Sequence, residues 1–136
     1  MEPHSILEIK NLKTFFPVRS GLFKRVKGHV RAVDNVSFHI QAGETLGMVG
    51  ESGCGKSTTG KSILRLLPIT SGEIIFDGVS INSIKDDQLR KLRPKMQMIF
   101  QDPFSSLNPR LSVGKIISEP ISCLLYTSPS PRDVIQ

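Results

Sequence analysis

Residues Gly50–Ser57 read GESGCGKS and match the pattern G-x-x-x-x-G-K-[ST], which is typical of a loop that binds the phosphates of a nucleotide. The mostly apolar segment before it, Thr45–Val49, predicts a short strand, and Ser57–Leu67 has helical composition. This order of strand, loop and helix is the context that the pattern requires. The stretch therefore predicts an α/β fold built around a phosphate-binding site.

The residue types of this phosphate loop, Gly50–Ser57, suit the wrapping of backbone around a polyphosphate. Glycines permit positive φ and let amide hydrogens approach the ligand without a Cβ in the way. The following helix directs its unpaired N-terminal amides at the phosphates, while Lys56 reaches the β and γ oxygens and Ser57 ligates Mg²⁺. The predicted nucleotide-binding residues are Gly50, Glu51, Ser52, Gly53, Cys54, Gly55, Lys56, Ser57 and Thr58.

Two alternatives stay open for the phosphate loop: a chance match to the pattern, and a reactive role for Cys54. A glycine-rich turn followed by Lys-Ser can arise by chance, although the apolar strand predicted before it argues against this. Cys54 lies near a lysine and a helix N-terminus, both of which stabilise a thiolate. No histidine or second cysteine is placed to assist it, so a small permitted residue is the expected role.

The rest of the chain alternates predicted strands with turns and short helices. Apolar and polar residues alternate in Ile6–Phe16 and Val30–Ile40, which predicts two half-buried strands joined by an exposed basic loop. Three further strands, a hairpin turn, two helices and a loop follow. The expected strands are Glu73–Phe76, Val79–Ile81 and Lys95–Phe100, with the turn at Asp77-Gly78. A short helix over DDQLRKLR is stopped by Pro94, Gln101–Arg110 is a loop, and Ser112 caps a helix through Ile117.

Composition limits the protein to a few classes. At 136 residues, 38% of them hydrophobic, the chain has the size of one domain and can bury a core. No apolar run approaches the roughly eighteen residues of a membrane span, and the N-terminus lacks a secretion signal, which favours a cytosolic location. Cys54 and Cys123 have no ligand-like spacing, so we expect no disulfide framework or metal cluster from them. The net charge of +6 fits a solvated surface, with a nucleic-acid or phosphate partner as the alternative.

Several stretches together resemble the nucleotide-binding subunits of ABC transporters, most of all the F-type subunits of bacterial oligopeptide and dipeptide importers. They are GLFKR…GHVRAVDNVSF, GESGCGKST, LRLLPITSGEIIFDG and MQMIFQDPFSSLNPRLSVGKIISEP, within about Ile6–Ile121. The last is the most discriminating, because a phosphate loop alone leaves many families open. The resemblance implies a P-loop NTPase of the ABC type, of which residues 1–121 are the N-terminal half. That half comprises an antiparallel β subdomain, the first part of a mixed core sheet, and the helix after the phosphate loop.

The same resemblance assigns roles outside the phosphate loop. Gln101 is the implied Q-loop residue, which with Lys56 is catalytic and which contacts Mg²⁺ and the attacking water; a polar residue at a strand end is the alternative. The family stacks adenine on an aromatic ring at the end of its first strand, and Phe16 aligns best with that role. Because Phe15 and Phe16 alternate faces, we expect one to lie in the core and Phe16 to face adenine.

For the whole protein, the resemblance implies ATP and Mg²⁺ as cofactors, and ATP hydrolysis that energises the import of oligopeptides or dipeptides. The implied partners are integral-membrane permease subunits contacted by Phe104–Arg110, a second ABC ATPase subunit and, indirectly, an extracytoplasmic peptide-binding protein. The implied location is peripheral, on the cytoplasmic face of the bacterial inner membrane, and no nucleic acid is expected. Two alternatives stay open: a soluble ABC-type ATPase acting on nucleic acid or ribosomes, and an inert truncated gene product.

The C-terminal part of the sequence departs from the family pattern. The sequence contains no LSGGQ-type signature, no Walker B aspartate with its catalytic glutamate, and no switch histidine, so we do not expect hydrolysis by this chain alone. Cys123–Asp133 reads CLLYTSPSPRD and resembles a translated sequencing adapter. We therefore expect residues 122–136 to form a non-native disordered tail, with a native Ser/Pro-rich linker as the alternative.

Overall fold

Two long strands, β1 (Ser5–Ser20) and β2 (Arg25–Gln41), form an antiparallel hairpin. The structure is a computed structural model that describes residues 5–20 and 25–125. The strands predicted from alternation are confirmed. The loop between them is shorter than expected, because pairing continues through Pro17 and His29 to Ser20 and Arg25. The remaining loop, residues 21–24, lies outside the described residues.

The chain divides into two compact units, Met1–Ile84 and Lys85–Gln136. In the first unit, β3 (Ser71–Phe76) and β4 (Val79–Ser80) extend the hairpin to an antiparallel sheet of order β2-β1-β3-β4. Asp77 and Gly78 have φ of +49° and +77°, and positive φ at both positions is what a two-residue type I′ turn requires. The predicted hairpin turn is therefore confirmed.

The core of the first unit lies on one face of this sheet. Ile74 pairs with Ile9, and Val33 pairs with Thr14, so side chains from three strands meet on that face. The buried apolar side chains of this unit are Ile9, Leu12, Val33, Ile74 and Ile81. The hairpin and β3 thus contribute most of the apolar burial that stabilises the unit.

A β-bulge at Asn11 changes which residues of β1 face the core. Ile9 pairs with Phe38 and Leu12 with Val36, so β1 has one more residue than β2 over this interval. Asn11 has φ of +49°, in a region that asparagine enters more readily than most residues, and its amide donates to Ser37 Oγ at 2.8 Å. The extra residue lets Ile9 and Leu12 both point into the core.

Helix α1 (Lys56–Ile63) follows the phosphate loop, as predicted, but ends before Leu67. Its end is a Schellman motif, in which the Leu66 amide donates to Lys61 O at 2.9 Å and the Arg65 amide to Ser62 O at 3.0 Å. Arg65 takes the left-handed position, with φ of +51°, where glycine is usual. Its guanidinium donates to the carbonyls of Ile81 and Ile84 at 3.1 and 3.0 Å, which holds this conformation in place.

In the second unit, the described residues form helices, 3-10 turns and irregular segments, and no strand. Helix α2 (Asp86–Leu92) confirms the predicted short helix, and 3-10 turns follow at Arg93–Lys95 and Phe104–Ser106. Helix α3 (Val113–Leu125) is capped by Ser112, whose Oγ accepts from the Lys115 amide at 3.4 Å. The cap was predicted, but the helix continues past Ile117. Residues 122–125 belong to α3 and residues 126–136 lie outside the described part, so the disordered tail stays a prediction.

Two predicted strands are wrong. Thr45–Val49 and residues 97–100 are neither helix nor strand, and Lys95 belongs to a 3-10 turn. Val49 and Ile99 are 93% and 91% exposed. A strand needs a neighbouring backbone to receive its hydrogen bonds, and neither segment is paired in the sheet formed by the described residues. The apolar composition of these segments indicates a tendency to form strands, but it does not show whether another strand is available to pair with them.

Candidate functional site

The phosphate loop is shaped by glycines at positions where a side chain does not fit. Gly53 and Gly55 have φ of +81° and +97°, and Gly55 is the N-cap of α1. A Cβ at Gly50 would lie 2.5 Å from Cys54 Sγ, and one at Gly55 would overlap the carbonyl oxygen of Ala32 in β2. Glycine is therefore required at Gly55, where backbone blocks a Cβ and φ is positive, while at Gly50 a larger residue would displace the Cys54 side chain.

The Lys56 side chain folds back over the phosphate loop. Its ammonium donates to the carbonyl oxygens of Gly50 and Glu51, each at 2.6 Å, and lies 3.4 Å from Cys54 Sγ. These three contacts fix the position of the charge, because an ammonium has three donors and each of them has a partner here, the two carbonyls being the close ones. The group is thereby held where a polyphosphate wrapped by the loop would meet a positive charge.

The start of α1 supplies amide donors beside this ammonium. The first helical bond runs from the Thr59 amide to Gly55 O at 2.8 Å, and Thr59 Oγ1 donates to the same oxygen at 2.9 Å. The amides of Lys56, Ser57 and Thr58 precede that bond, so the helix itself gives them no acceptor. Such a helix start suits an anion through both its free amides and its dipole.

The remaining loop side chains are open to solvent. Glu51, Ser52, Cys54 and Ser57 are exposed, and Thr58 is half-buried. The structure therefore brings all nine predicted loop residues together in one segment that ends on the first turn of α1. Their roles in nucleotide binding stay predictions.

Phe15 and Phe16 lie on opposite faces of β1, and both are half-buried, so the expectation that one of them lies in the core is wrong. Phe15 pairs across the hairpin with Arg31, whose guanidinium carbon lies 5.6 Å from the centre of the Phe15 ring, within the range of a cation–π contact. Phe16 lies on the face of β1 that carries Thr14, since side chains two residues apart share a face. Thr14 contacts α1, so Phe16 is on the side of the strand that faces the helix of the phosphate loop.

Three residues that support the loop were not predicted from the sequence. Ala32 is the extra residue of a bulge in β2, because Thr14 pairs with Val33 and Phe15 with Arg31. Its carbonyl lies against Gly55. Thr14 and Ser62 are fully buried and share a hydrogen bond between their hydroxyls at 2.9 Å. No local pattern marks any of the three, because each matters only through a contact distant in sequence.

Gln101 and the segment Phe104–Arg110 belong to the second unit. Gln101 is exposed and follows an irregular segment instead of the expected strand. The segment begins with the 3-10 turn Phe104–Ser106, which is held by the Ser105 hydroxyl donating to Asp102 O at 2.9 Å. Phe104 is 83% exposed, an unusual degree for a large aromatic side chain. The segment therefore presents an exposed apolar residue on a defined turn.

The described residues contain no group of three or more His, Cys, Asp or Glu side chains arranged to hold a metal ion. A magnesium ion held mainly by a ligand's phosphates needs only one or two protein ligands, so this finding fits the predicted roles of Ser57 and Gln101 without testing them. Among the same residues, no helix is long and apolar enough to cross a membrane.

The known proteins that resemble this chain are ABC transporter proteins. The sequence profile of the ABC transporter family matches residues 33–131. The chain is 54% identical over 119 residues to the oligopeptide transport ATP-binding protein AppF of Bacillus subtilis, covering 87% of this chain and 36% of that protein. It is 54% identical over 116 residues to the glutathione import ATP-binding protein GsiA of Pectobacterium atrosepticum, covering 85% of this chain and 19% of GsiA. It is also 50% identical over 117 residues to a probable peptide ABC transporter ATP-binding protein, y4tS, of Sinorhizobium fredii, covering 86% and 33%.

Solved structures confirm the predicted fold class. The chain superposes with a TM-score of 0.72 and 27% identity on a dimeric post-hydrolysis state of the ATP-binding cassette MJ0796 bound to ADP and Pi, covering 93% of this chain and 51% of that one. A second dimeric structure of MJ0796 matches with the same TM-score. The chain thus spans about a third or less of these three curated relatives and half of the solved cassette. By its family profile, its relatives and its fold, this chain belongs to the ABC transporter family.

Proposed function

We propose that this chain binds ATP through the phosphate loop. The observation that carries the proposal is the Lys56 ammonium, which the Gly50 and Glu51 carbonyls hold at 2.6 Å beside the free amides of the first turn of α1. A fixed cation and a fan of amide donors complement the negative oxygens of a triphosphate. The positive φ of Gly53 and Gly55 lets the backbone of the loop curve around such a ligand.

Adenine would stack on Phe16, on the side of β1 that faces α1. Phe15 already has Arg31 over its ring, which leaves Phe16 as the better candidate for a base. Stacking on an aromatic face tolerates any base, so the preference for adenine would come from the groups around it. Phe16 and the phosphate loop would then bind the two ends of one nucleotide.

Magnesium would bind at the same site. Ser57, an exposed hydroxyl on the first turn of α1, would ligate the ion, and Gln101 is proposed as a further ligand on its motif alone. When bound, Mg²⁺ neutralises phosphate charge and makes the γ-phosphate easier to attack. The contribution of this chain is to orient the triphosphate with Lys56 and the loop amides, and Gln101 would position the water.

In a whole protein of the length of its relatives, ATP binding and hydrolysis would energise the import of oligopeptides or dipeptides. The relatives named for oligopeptide, glutathione and peptide transport support this substrate class. The exposed Phe104–Arg110 segment would dock on permease subunits, and a second ATPase subunit would face the nucleotide, as the dimeric cassettes suggest. The protein would lie on the cytoplasmic face of the inner membrane and would meet the extracytoplasmic peptide-binding protein only indirectly.

Replacing Lys56 by alanine tests the proposal, with Lys61→Ala as the matched control. Both lysines lie on α1, but Lys61 is in its last turn, away from the loop. A charge-assisted contact contributes about 1.5–3 kcal/mol, so we expect Lys56→Ala to weaken ATP binding about ten- to hundredfold in equilibrium titration, and Lys61→Ala to leave it unchanged.

Equal ATP affinity of the two variants would contradict the assignment of the loop. In the whole protein with its permease subunits, the same pair tests the transport role through uptake of a labelled peptide into vesicles. Uptake that survives Lys56→Ala would contradict a role for this site in driving import.

A further inference from the structure

Two hydroxyl groups are buried where β1 packs on α1. Thr14 Oγ1 and Ser62 Oγ lie 2.9 Å apart, and both residues have no exposed surface. A buried hydroxyl without a partner is costly, and this bond, in which one hydroxyl donates and the other accepts, gives each group a partner. The bond therefore ties a strand to a helix at a point closed to water.

The Thr14–Ser62 bond connects the two elements that carry the candidate nucleotide-binding residues. Thr14 precedes Phe16 by two residues on the same face of β1. Ser62 lies on α1, the helix that begins at Lys56. The hydroxyl pair thus joins the strand of the candidate adenine-binding ring to the helix of the phosphate loop.

The second strand of the hairpin, β2, also contacts the phosphate loop. Ala32 is the bulged residue of β2, and its carbonyl occupies the space that a Cβ of Gly55 would need. Bulges often re-aim a group toward a functional site. The hairpin therefore meets the loop and its helix at two points, one on each strand.

We propose that Thr14 and Ser62 are positioning residues that hold Phe16 in register with the phosphate loop, so that one ATP engages both. The inference rests on the proposed function. Two contacts to one ligand reinforce each other only when their spacing is held to the length of the ligand. Loosening the strand from the helix weakens binding of a ligand that uses both ends, and leaves a ligand that uses only the loop unaffected.

The experiment compares ATP with inorganic tripolyphosphate, each with Mg²⁺, by titration calorimetry on the full 136-residue chain. The variant is Thr14→Val, which keeps the shape and removes the hydroxyl; the control is Thr14→Ser, which keeps the hydroxyl. We expect Thr14→Val to weaken ATP about three- to tenfold and tripolyphosphate not at all, while Thr14→Ser binds both as the wild type does. Ser62→Ala, which removes only one oxygen, repeats the test from the helix side.

Each other outcome overturns the inference in its own way. If Thr14→Val weakens the binding of ATP and of tripolyphosphate equally, the hydroxyl pair has only a general structural role. If neither Thr14→Val nor Ser62→Ala changes ATP binding, the pair has no role in the site. A wild type that binds the two ligands equally well excludes a contribution from the base. A wild type that binds neither ligand refutes the proposed function itself, which separates the two failures.

Discussion

Replacing Gly55 by alanine tests whether β2 packs directly against the phosphate loop, through its effect on the free energy of unfolding. Gly55 has φ of +97°, and a Cβ there would overlap the carbonyl oxygen of Ala32. Gly53, in the same loop, has φ of +81°, but a Cβ on it would meet no atom within 4 Å. The pair therefore separates the cost of a left-handed backbone from the cost of the overlap.

The expected difference follows from these two positions. Alanine in the left-handed region costs about 1–2 kcal/mol, and the lower freedom of the unfolded chain offsets about 0.4–1 kcal/mol. We expect Gly53→Ala to lower the free energy of unfolding by about 1 kcal/mol. Gly55→Ala carries the same cost and adds a clash with backbone that no rotamer relieves, for which about 1–3 kcal/mol is typical of overpacking.

Urea unfolding followed by circular dichroism measures both free energies of unfolding on the same chain. Gly43→Ala is a control outside the loop, since Gly43 has φ of +79° and equally open surroundings. It should match Gly53→Ala in stability and keep the ATP affinity of the wild type. Equal stability of the Gly55 and Gly53 variants would refute the contact between Ala32 and the loop.

Two further substitutions test the site and the end of α1. Phe16→Ala should weaken ATP binding about tenfold, since stacking contributes about 1–3 kcal/mol per base, and Phe15→Ala should not; in nucleotide titration, the reverse ranking would exchange the two roles. Arg65→Ala should lower the free energy of unfolding in urea by about 2–4 kcal/mol, through loss of the bonds to the Ile81 and Ile84 carbonyls. Arg65→Gly should be about 1 kcal/mol less destabilising, because glycine adopts its φ of +51° without strain; a glycine variant less stable than the alanine variant would contradict this account.

Features set by a few neighbouring residues could be predicted from the sequence. The Asp77-Gly78 turn depends on two residues that accept positive φ, and the Ser112 cap on one hydroxyl three residues before its donor. The phosphate loop likewise needs glycine at position 55, where φ is positive and the carbonyl oxygen of Ala32 leaves no room for a Cβ. In each case the local chemistry allows few alternatives, so the pattern was sufficient.

Features set by partners distant in sequence could not be predicted in this way. Thr45–Val49 has the apolar composition of a strand, yet no strand of the described sheet pairs with it. Thr14 reads as an ordinary strand residue, and Ser62 as an ordinary helix residue, until the fold buries them against each other. Composition reports what a segment tends to do, whereas pairing and burial depend on what the rest of the chain brings to it.

The bulge at Asn11 shows how one residue decides which aromatic ring shares the core face of β1. Strict alternation from buried Ile9 would place Asn11, Lys13 and Phe15 on the core face, because side chains of a strand repeat every two residues. The extra residue at Asn11 moves that face to Leu12, Thr14 and Phe16, and the complete burial of Leu12 and Thr14 agrees. Asparagine lowers the conformational cost of this shift, because it tolerates φ of +49° and because Ser37 Oγ accepts a hydrogen bond from its amide. The candidate adenine ring therefore depends on a residue outside the site, and the position of Phe16 follows from Asn11 as much as from its own place in the motif.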